Sequence, residues 1–360
     1  MKKLSFAASV AFALSLCALL IFESKSCSQA VVTAIDMCIR ILIPALFPFL
    51  FLSQFCLKSG LANVLASPLE KATKKFLKLP SCAGSALIIG FIGGYPVGAK
   101  YTCELFKSGY ITKEEAEELI LCCNNCGPAF FFGAIGAAVF SSAKIALLLW
   151  LCHIVSALIT YILLERKLPP RNSDQIKPNQ STLTQAFCSS CWDAAISISK
   201  ICSFVILFKV FTLWLDKLPF LINGNMKGAA SLIKGFFELT SGIVSLDKGK
   251  SVLQICLAAF ITGWGGICVH MQTLAVMQAS GIKLKRYIIA KLIQGFLSAA
   301  IVFTLLQLFE THAVNAVIVL SKSGALDINA KTGAAFLLPW VFLAFLVPLC
   351  TNGKKDDDKL

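Results

Sequence analysis

Charged side chains are scarce in this chain of 360 residues. Asp, Glu, Lys and Arg account for 14% of the sequence, whereas a soluble globular domain carries about 25%. Hydrophobic residues rise in their place to 57%, above the usual range of about 45–50%. This composition excludes a disordered chain, a secreted disulfide-rich miniprotein and an ordinary soluble enzyme. It predicts an all-α polytopic membrane protein, with the lipid bilayer as its first partner.

Acidic residues are the scarcer of the two charge types. The chain has 19 of them against 33 Lys and Arg, so its formal net charge is +14. In a soluble protein that excess would suggest a nucleic-acid partner. Here the basic residues lie in short stretches between apolar runs, which is the pattern of cytoplasmic loops in membrane proteins. We therefore expect no nucleic acid, and we expect the N-terminus, with Lys2 and Lys3, to lie in the cytoplasm.

Histidine is also scarce, with three residues in the chain. The densest cysteine group, Cys122, Cys123 and Cys126, contains a C-x-x-C motif, which is a weak signal without a βαβ context. Most of the 16 cysteines lie in apolar segments, where a thiol behaves as a small hydrophobe. The sequence contains neither an H-E-x-x-H motif nor a phosphate-binding loop. We therefore predict no metal, no cofactor and no enzymatic activity.

A basic linker with three prolines, 165–183, divides the apolar sequence into two parts. The apolar run 4–22 is long enough for a membrane-spanning helix, and a signal peptide cleaved near Ala30 is the alternative. The predicted order begins with a leading transmembrane helix (1–30), a first repeat (31–164), a polar cytoplasmic linker (165–185) and a second repeat (186–310). The final part, 311–360, is predicted to consist of a loop at 311–332, a last transmembrane helix at 333–350 and a charged tail.

Glycine and proline interrupt apolar segments in both parts. Gly93-Gly94-Tyr95-Pro96 should break one helix, and Gly127-Pro128 should end the helix that Thr112 starts with a capping box. In the second part, Gly263–Gly266 lies in a similar apolar run, and Phe91–Tyr95 matches Phe260–Trp264. If the linker is cytoplasmic, the two parts enter the membrane from opposite sides. This predicts two repeats of inverted topology with broken, re-entrant helices.

Two further stretches, 58–80 and 226–241, have the pattern of amphipathic helices at the membrane surface. Within 31–57, Pro44 and Pro48 should kink or break a helix. In the same segment, Asp36 and Arg40 are spaced to pair on one helix face. We interpret that pair as structural.

Three blocks give the chain a family resemblance: Ile89–Lys100 (IGFIGGYPVGAK), Asn124–Pro128 (NNCGP) and Phe237–Gly242 (FELTSG). They resemble the YlbJ/SpoVV-type sporulation integral membrane proteins, over roughly residues 30–310. The resemblance implies two nucleoside-recognition (Gate) domains, related in organisation to concentrative nucleoside transporters. It also implies movement of dipicolinic acid across the membrane around the developing spore, and a location in the bacterial cell membrane, with the outer forespore membrane as one candidate.

The candidate binding residues lie at the breaks and beside them. Helix N-termini at the breaks attract anions, and Lys100 is interpreted as a counter-charge or as an interfacial lysine. Glu238 is either a functional carboxylate within the membrane or a surface partner of Lys234. The Asn pair either binds substrate or caps a helix, and His270 is either a ligand or a core residue. The predicted substrate-binding set is Gly93, Gly94, Tyr95, Pro96, Lys100, Asn124, Asn125, Gly127, Glu238, Thr240, Gly263, Trp264, His270 and Gln272.

The predicted function is transport of a small organic anion, dipicolinic acid during spore formation. A nucleoside or nucleobase transporter is one alternative, and a non-transporting assembly or signalling factor of sporulation is another. Paired broken helices favour a transporter, because a scaffold has no need of disrupted backbone hydrogen bonds at membrane depth. Lys100 and His270 favour an anion over a neutral nucleoside. The coupling ion, the direction of transport and assembly into a homo-oligomer are left open.

Overall fold

A computed structural model gives the fold of the protein. Every regular element in the described part of the chain is helical, and the apolar helices within it confirm the prediction of an all-α polytopic membrane protein. The residues described are 2–61, 64, 66–168, 182–216, 227–248 and 251–320.

The α-helices are numbered here in chain order, over the described residues. Several are continued or joined by short π-helical or 3₁₀ segments, such as Cys38–Leu42 between α2 and α3 and Phe131–Val139 after α8. Their bounds are α1 Lys2–Phe22, α2 Ser24–Met37, α3 Ile43–Lys58, α4 Glu70–Ala72, α5 Ala83–Gly93, α6 Val97–Lys107, α7 Lys113–Cys123, α8 Pro128–Phe130, α9 Ala143–Leu164, α10 Leu183–Asp216, α11 Lys227–Phe237, α12 Leu239–Val244, α13 Val252–Trp264, α14 Gly266–Met277 and α15 Lys285–Leu320.

Within the described ranges, five helical segments are long and apolar enough to cross a membrane. A sixth candidate is a bent pair in which α1 and α2 meet at 99°. The helix predicted over 4–22 is therefore present, but it turns sharply at Glu23 into α2. The five segments are Lys113–Val139, Ala143–Leu164, Leu183–Leu213, Val252–Met277 and Lys285–Leu308.

The first part of the chain breaks its helices where glycine and proline predicted. Helix α5 ends at Gly93, Gly94 adopts a φ of +79°, and α6 begins at Val97 after Pro96. Glycine is favoured at such a φ because it has no Cβ. The Thr112 capping box is also confirmed, since its hydroxyl accepts from the Glu115 N–H and the Glu115 carboxylate accepts from the Thr112 N–H.

The second part has two helix breaks, of which glycine in the sequence predicts one. Helix α13 ends at Trp264, and Gly265 adopts a φ of +84° before α14 begins. The stretch 226–241, predicted as one amphipathic helix, is interrupted at Glu238, which has extended backbone. That prediction of a continuous helix was wrong because a buried side-chain cap, described below, ends α11 and starts α12.

Three other expectations need correction. The stretch 58–80 is not one long helix, because 59–61 form a turn and the helical residues described between that turn and Lys78 are 64, 66 and 67–77, the last in 3₁₀, α and π turns. Helix α3 continues through Pro48, and a π-helical turn precedes Pro44. Helix α15 extends to Leu320, so 311–320 is not a loop. The rest of that loop and the predicted span 333–350 lie outside the described residues.

The two parts of the chain pack against each other through antiparallel helices. Helix α3 lies along α10, with Lys58 Nζ 2.6 Å from an Asp193 carboxylate oxygen. Helix α9 lies along α15, where Arg286 near the start of α15 donates to the Leu164 carbonyl at the end of α9. Further along the same pair, Gln294 reaches His153.

Candidate binding site at the helix breaks

The helix breaks lie against one another in the interior of the protein. A methyl group on Gly94 would lie 2.8 Å from the amide nitrogen of Gly127, so the first two breaks are in backbone contact. The Tyr95 hydroxyl donates to the Thr262 carbonyl at 3.3 Å, and a methyl group on Gly265 would lie 3.3 Å from the Tyr95 ring. Both parts of the chain therefore contribute to one junction.

Asn124 and Asn125 join the first break region to helices of the second part. Both side chains are fully buried. The Asn124 amide donates to the Thr273 hydroxyl at 3.1 Å and to the Tyr287 hydroxyl at 2.8 Å, and its carbonyl oxygen accepts from the Ala99 N–H. The Asn125 amide donates to the Cys122 carbonyl, which caps the end of α7. Each residue thus serves the local backbone and also holds the two parts together.

Lys291 is a buried basic residue at this junction, and its side chain has no exposed surface. Its Nζ donates to Asn125 Oδ1 at 2.9 Å and to Gln294 Oε1 at 2.7 Å. Gln294 also donates to Asn125 Oδ1 at 3.0 Å. Among the described residues, no hydrogen-bond or ion-pair partner of Lys291 is a carboxylate. A lysine held in this way, by neutral amides alone, is costly inside a membrane protein.

Aromatic rings surround the Lys291 amine. Its Nζ lies 5.5 Å from the centroid of the Tyr95 ring and 5.7 Å from that of Tyr287. The His270 ring packs edge-on against Tyr287 at 5.5 Å and against Trp264 at 4.3 Å. His270 is 7% exposed, and neither of its ring nitrogens has a hydrogen-bond partner among the described residues. The junction therefore offers an amine, unpaired imidazole nitrogens and flat apolar faces.

Glu238 is buried, and both oxygens of its carboxylate accept backbone hydrogen bonds. One carboxylate oxygen accepts from the Thr240 N–H at 2.8 Å and the other accepts from the Ser241 N–H at 2.6 Å. The helix break at Glu238 is the fourth, after those at Gly94, Gly127 and Gly265. It contacts α14, because a methyl group on Gly266 would lie 3.1 Å from the Leu239 amide nitrogen. Glu238 and Thr240 thus form a helix cap beside the junction.

The remaining predicted residues lie around this junction in different roles. Lys100 Nζ pairs with Glu104 on the same helix at 3.0 Å, with both side chains 20% exposed. Gln272 donates to the Cys268 thiol at 3.3 Å. A methyl group on Gly263 would lie 2.6 Å from the Gly295 Cα, so it allows close packing of α13 on α15. Gly93 and Pro96 flank the bend at Gly94.

Sequence reasoning missed Lys291, Gln294 and His153. Lys291 and Gln294 stand three residues apart in an apolar run, which places them on one helix face, and an ionisable residue within a membrane helix is a functional candidate by default. His153 accepts from the Cys126 N–H at 3.1 Å and so satisfies the backbone of the second break. A second C-x-x-C, Cys188–Cys191, lies on α10, and both of its cysteines are exposed.

These observations define a polytopic α-helical membrane protein whose broken helices meet at a buried polar site. The chain is 26% identical over 334 residues to the sporulation integral membrane protein YlbJ of Bacillus subtilis strain 168, and the match covers 82% of this chain and 81% of YlbJ. This relationship confirms the resemblance to the YlbJ type, and the protein is an integral membrane protein. No protein-family profile and no solved structure matches the chain significantly.

Proposed function

We propose that this protein is a membrane transporter of a small organic anion, and that dipicolinic acid is its substrate during spore formation. The observation that carries the proposal is Lys291 Nζ, which is fully buried at the junction of the helix breaks and whose hydrogen-bond partners among the described residues are neutral amides. An ammonium or a carboxylate that is buried without a counter-charge costs several kcal/mol. An anionic ligand would supply the partner that the described residues do not.

The rings around Lys291 suit the shape of dipicolinate. This ligand is a flat pyridine ring with a carboxylate on each side of the ring nitrogen. One carboxylate would pair with Lys291, and the rings of Tyr95 and Tyr287, at 5.5 and 5.7 Å from Nζ, offer faces for a flat aromatic ligand. The ring nitrogens of His270, which have no hydrogen-bond partner in the described part of the chain, would give a second polar contact.

The helix arrangement supports transport in preference to a scaffold. Helices α3 and α10 run antiparallel, as do α9 and α15, which is the relation expected between counterparts in two repeats of inverted topology. We assign 31–164 and 186–310 to those repeats. Within both repeats, successive helix breaks pack on each other, Gly94 on Gly127 and Leu239 on Gly266. Substrate sites of transporters with inverted repeats lie at such interfaces of discontinuous helices.

The relationship to YlbJ supports the biological setting. YlbJ is named as a sporulation integral membrane protein, and we place this chain in the membrane around the developing spore, the outer forespore membrane. A nucleoside carrier of the Gate type is the rival function, because amides and aromatic rings also bind nucleobases. A neutral nucleoside gives the Lys291 amine no anionic partner.

Thermal unfolding of the purified protein with three ligands tests the proposal. A ligand that binds only the folded state raises the unfolding midpoint by mass action. We expect dipicolinate to raise the midpoint, and we expect neither uridine nor pyridine-2,6-dicarboxamide, a neutral analogue with the same ring, to do so. Stabilisation by uridine alone would favour the nucleoside carrier. Stabilisation by none of the three would contradict transport of this anion.

A further inference from the structure

The hydrogen-bond acceptors around Lys291 are sufficient for an uncharged amine. Two acceptors lie within hydrogen-bond distance of Nζ, Asn125 Oδ1 at 2.9 Å and Gln294 Oε1 at 2.7 Å. A neutral amine has two N–H donors and an ammonium group has three. In the described part of the chain, no acceptor takes a third N–H of Lys291. The third donor of an ammonium would therefore be unsatisfied unless a ligand accepted from it.

Among the residues that the structure describes, the groups that face Lys291 do not supply an anion. They are the thiols of α7 and the second break, the phenols of the first break and α15, and the imidazoles of α9 and α14. Thiols and phenols are uncharged at neutral pH in their ordinary state, and His153 already accepts a backbone hydrogen bond through Nε2. The titratable groups are Cys122, Cys123, Cys126, Tyr95, Tyr287, His153 and His270.

We infer that Lys291 takes up a proton when the anion binds and releases it when the anion leaves. This inference rests on the proposed function, since it needs an anionic ligand at the junction. In the empty protein the amine donates its two N–H groups to Asn125 and Gln294. On binding, the Nζ lone pair accepts one proton from solvent, and the third N–H of the resulting ammonium donates to a ligand carboxylate. No other bond is made or broken.

The linkage has a consequence for transport. Dipicolinate carries two negative charges, and Lys291 gains one proton when it binds. The transporter with its ligand bound therefore carries one net negative charge across the membrane in each transport step. After the ligand has left, the empty transporter returns to its starting conformation with an uncharged Lys291. A charged Lys291 without a counter-charge would cost several kcal/mol during this return. Binding should therefore weaken as the pH rises and protons become scarce.

Isothermal titration calorimetry tests the inference. Dipicolinate is titrated into the purified protein at one pH, at which both of its carboxylates are ionised, in two buffers of different ionisation enthalpy. The dependence of the binding enthalpy on the buffer gives the number of protons exchanged. We expect uptake of about one proton per bound anion in the wild type. Lys291→Arg should bind with no proton uptake, because arginine is always protonated. Lys285→Arg, an exposed lysine on the same helix, should behave like the wild type.

His270 is the rival proton acceptor, so His270→Gln is the deciding variant. Uptake of about one proton by His270→Gln supports Lys291, and it decides the matter if Lys291→Arg fails to fold. Binding without proton uptake by the wild type, loss of uptake in His270→Gln, or uptake retained by Lys291→Arg would overturn the inference while leaving the transporter in place. Absence of any dipicolinate binding by the wild type would overturn both.

Discussion

At the scale of single residues, Glu238 shows how a buried carboxylate can serve the fold. It is 3% exposed, and its two oxygens accept from the backbone N–H groups of Thr240 and Ser241 at 2.8 and 2.6 Å. A hydrogen bond to a charged group contributes about 1.5–3 kcal/mol. The cap also permits a helix break within Phe237-Glu238-Leu239, where the sequence has neither glycine nor proline.

Glu238→Gln should therefore lower stability. The amide oxygen can accept one of the two N–H groups, but the amide nitrogen cannot accept the other, and an unpaired buried donor costs about 1–3 kcal/mol. We expect a lower thermal unfolding midpoint for the purified variant. Glu114→Gln, at an exposed position in the first turn of α7, should change the midpoint much less. An unchanged midpoint together with lost dipicolinate binding would instead make Glu238 a ligand, as its sequence context predicts.

The sequence predicts part of the candidate site, but it does not point to the buried lysine, for a physical reason. Asn124, Asn125 and Tyr95 stand next to breaks that glycine and proline predict, so local sequence points to them. Lys291 follows a basic helix start, and only tertiary packing brings its Nζ to within 2.9 Å of Asn125, 166 residues away. Lys100 is near a break in the sequence, but its partner in the fold is Glu104.

At the scale of helices, α5 and α6 both pack closely against the end of α7. A methyl group on Gly90 would lie 1.8 Å from the Cys123 carbonyl oxygen, and one on Gly98 would lie 2.1 Å from it. Small residues allow such backbone contact between membrane helices. This contact positions the Asn124–Gly127 break, because that break begins at the next residue.

Gly98→Ala should disrupt that packing. Its Cβ would overlap a backbone carbonyl that cannot move aside as a side chain would, so we expect a clear loss of thermal stability and of dipicolinate binding. Gly133→Ala is the matched control, since a Cβ there would have no atom within 4 Å, and alanine is the better helix former by about 1 kcal/mol. Equal midpoints for the two variants would contradict the close packing.

The register of the predicted repeat illustrates the limit of short sequence matches. The match of Phe91–Tyr95 to Phe260–Trp264 makes α7 the counterpart of α15. These helices run parallel, because Glu118 pairs with Arg286 and Asn125 with Lys291. The antiparallel packing of α9 on α15 favours a different register, in which the Glu238 break corresponds to the Gly94 break. Sequence similarity alone does not report helix direction.

At the scale of the whole molecule, basic residues gather at the end where the linker begins. Lys78 pairs with Glu165, and Arg166 and Arg286 both pair with the fully buried Glu118. Membrane proteins keep an excess of Lys and Arg on the cytoplasmic side. This end, with the start of the 165–185 linker, is therefore expected in the cytoplasm, although 169–181 lies outside the described residues.

Epitope tags test this orientation. We expect a tag inserted after Ser173 in the linker, and one placed at the N-terminus, to bind antibody only after the cell membrane is permeabilised. A linker tag that is accessible in intact cells would contradict the predicted orientation of both parts of the chain. As a control, dipicolinate should still raise the thermal unfolding midpoint of each tagged protein, which shows that the tag has not inactivated it.

Uptake of radiolabelled dipicolinate into proteoliposomes tests most directly whether an anion crosses the membrane by way of Lys291. The wild type should take up the label, and unlabelled dipicolinate should compete while uridine and pyridine-2,6-dicarboxamide should not. In Lys291→Gln, a carboxylate of the bound ligand would be buried without a cationic partner, which costs more than about 1.4 kcal/mol. Because about 1.4 kcal/mol corresponds to a factor of ten, we expect uptake to fall at least about tenfold. Lys285→Gln, exposed on the same helix, should transport like the wild type. Wild-type uptake by Lys291→Gln, or competition by uridine, would contradict an anion site at Lys291.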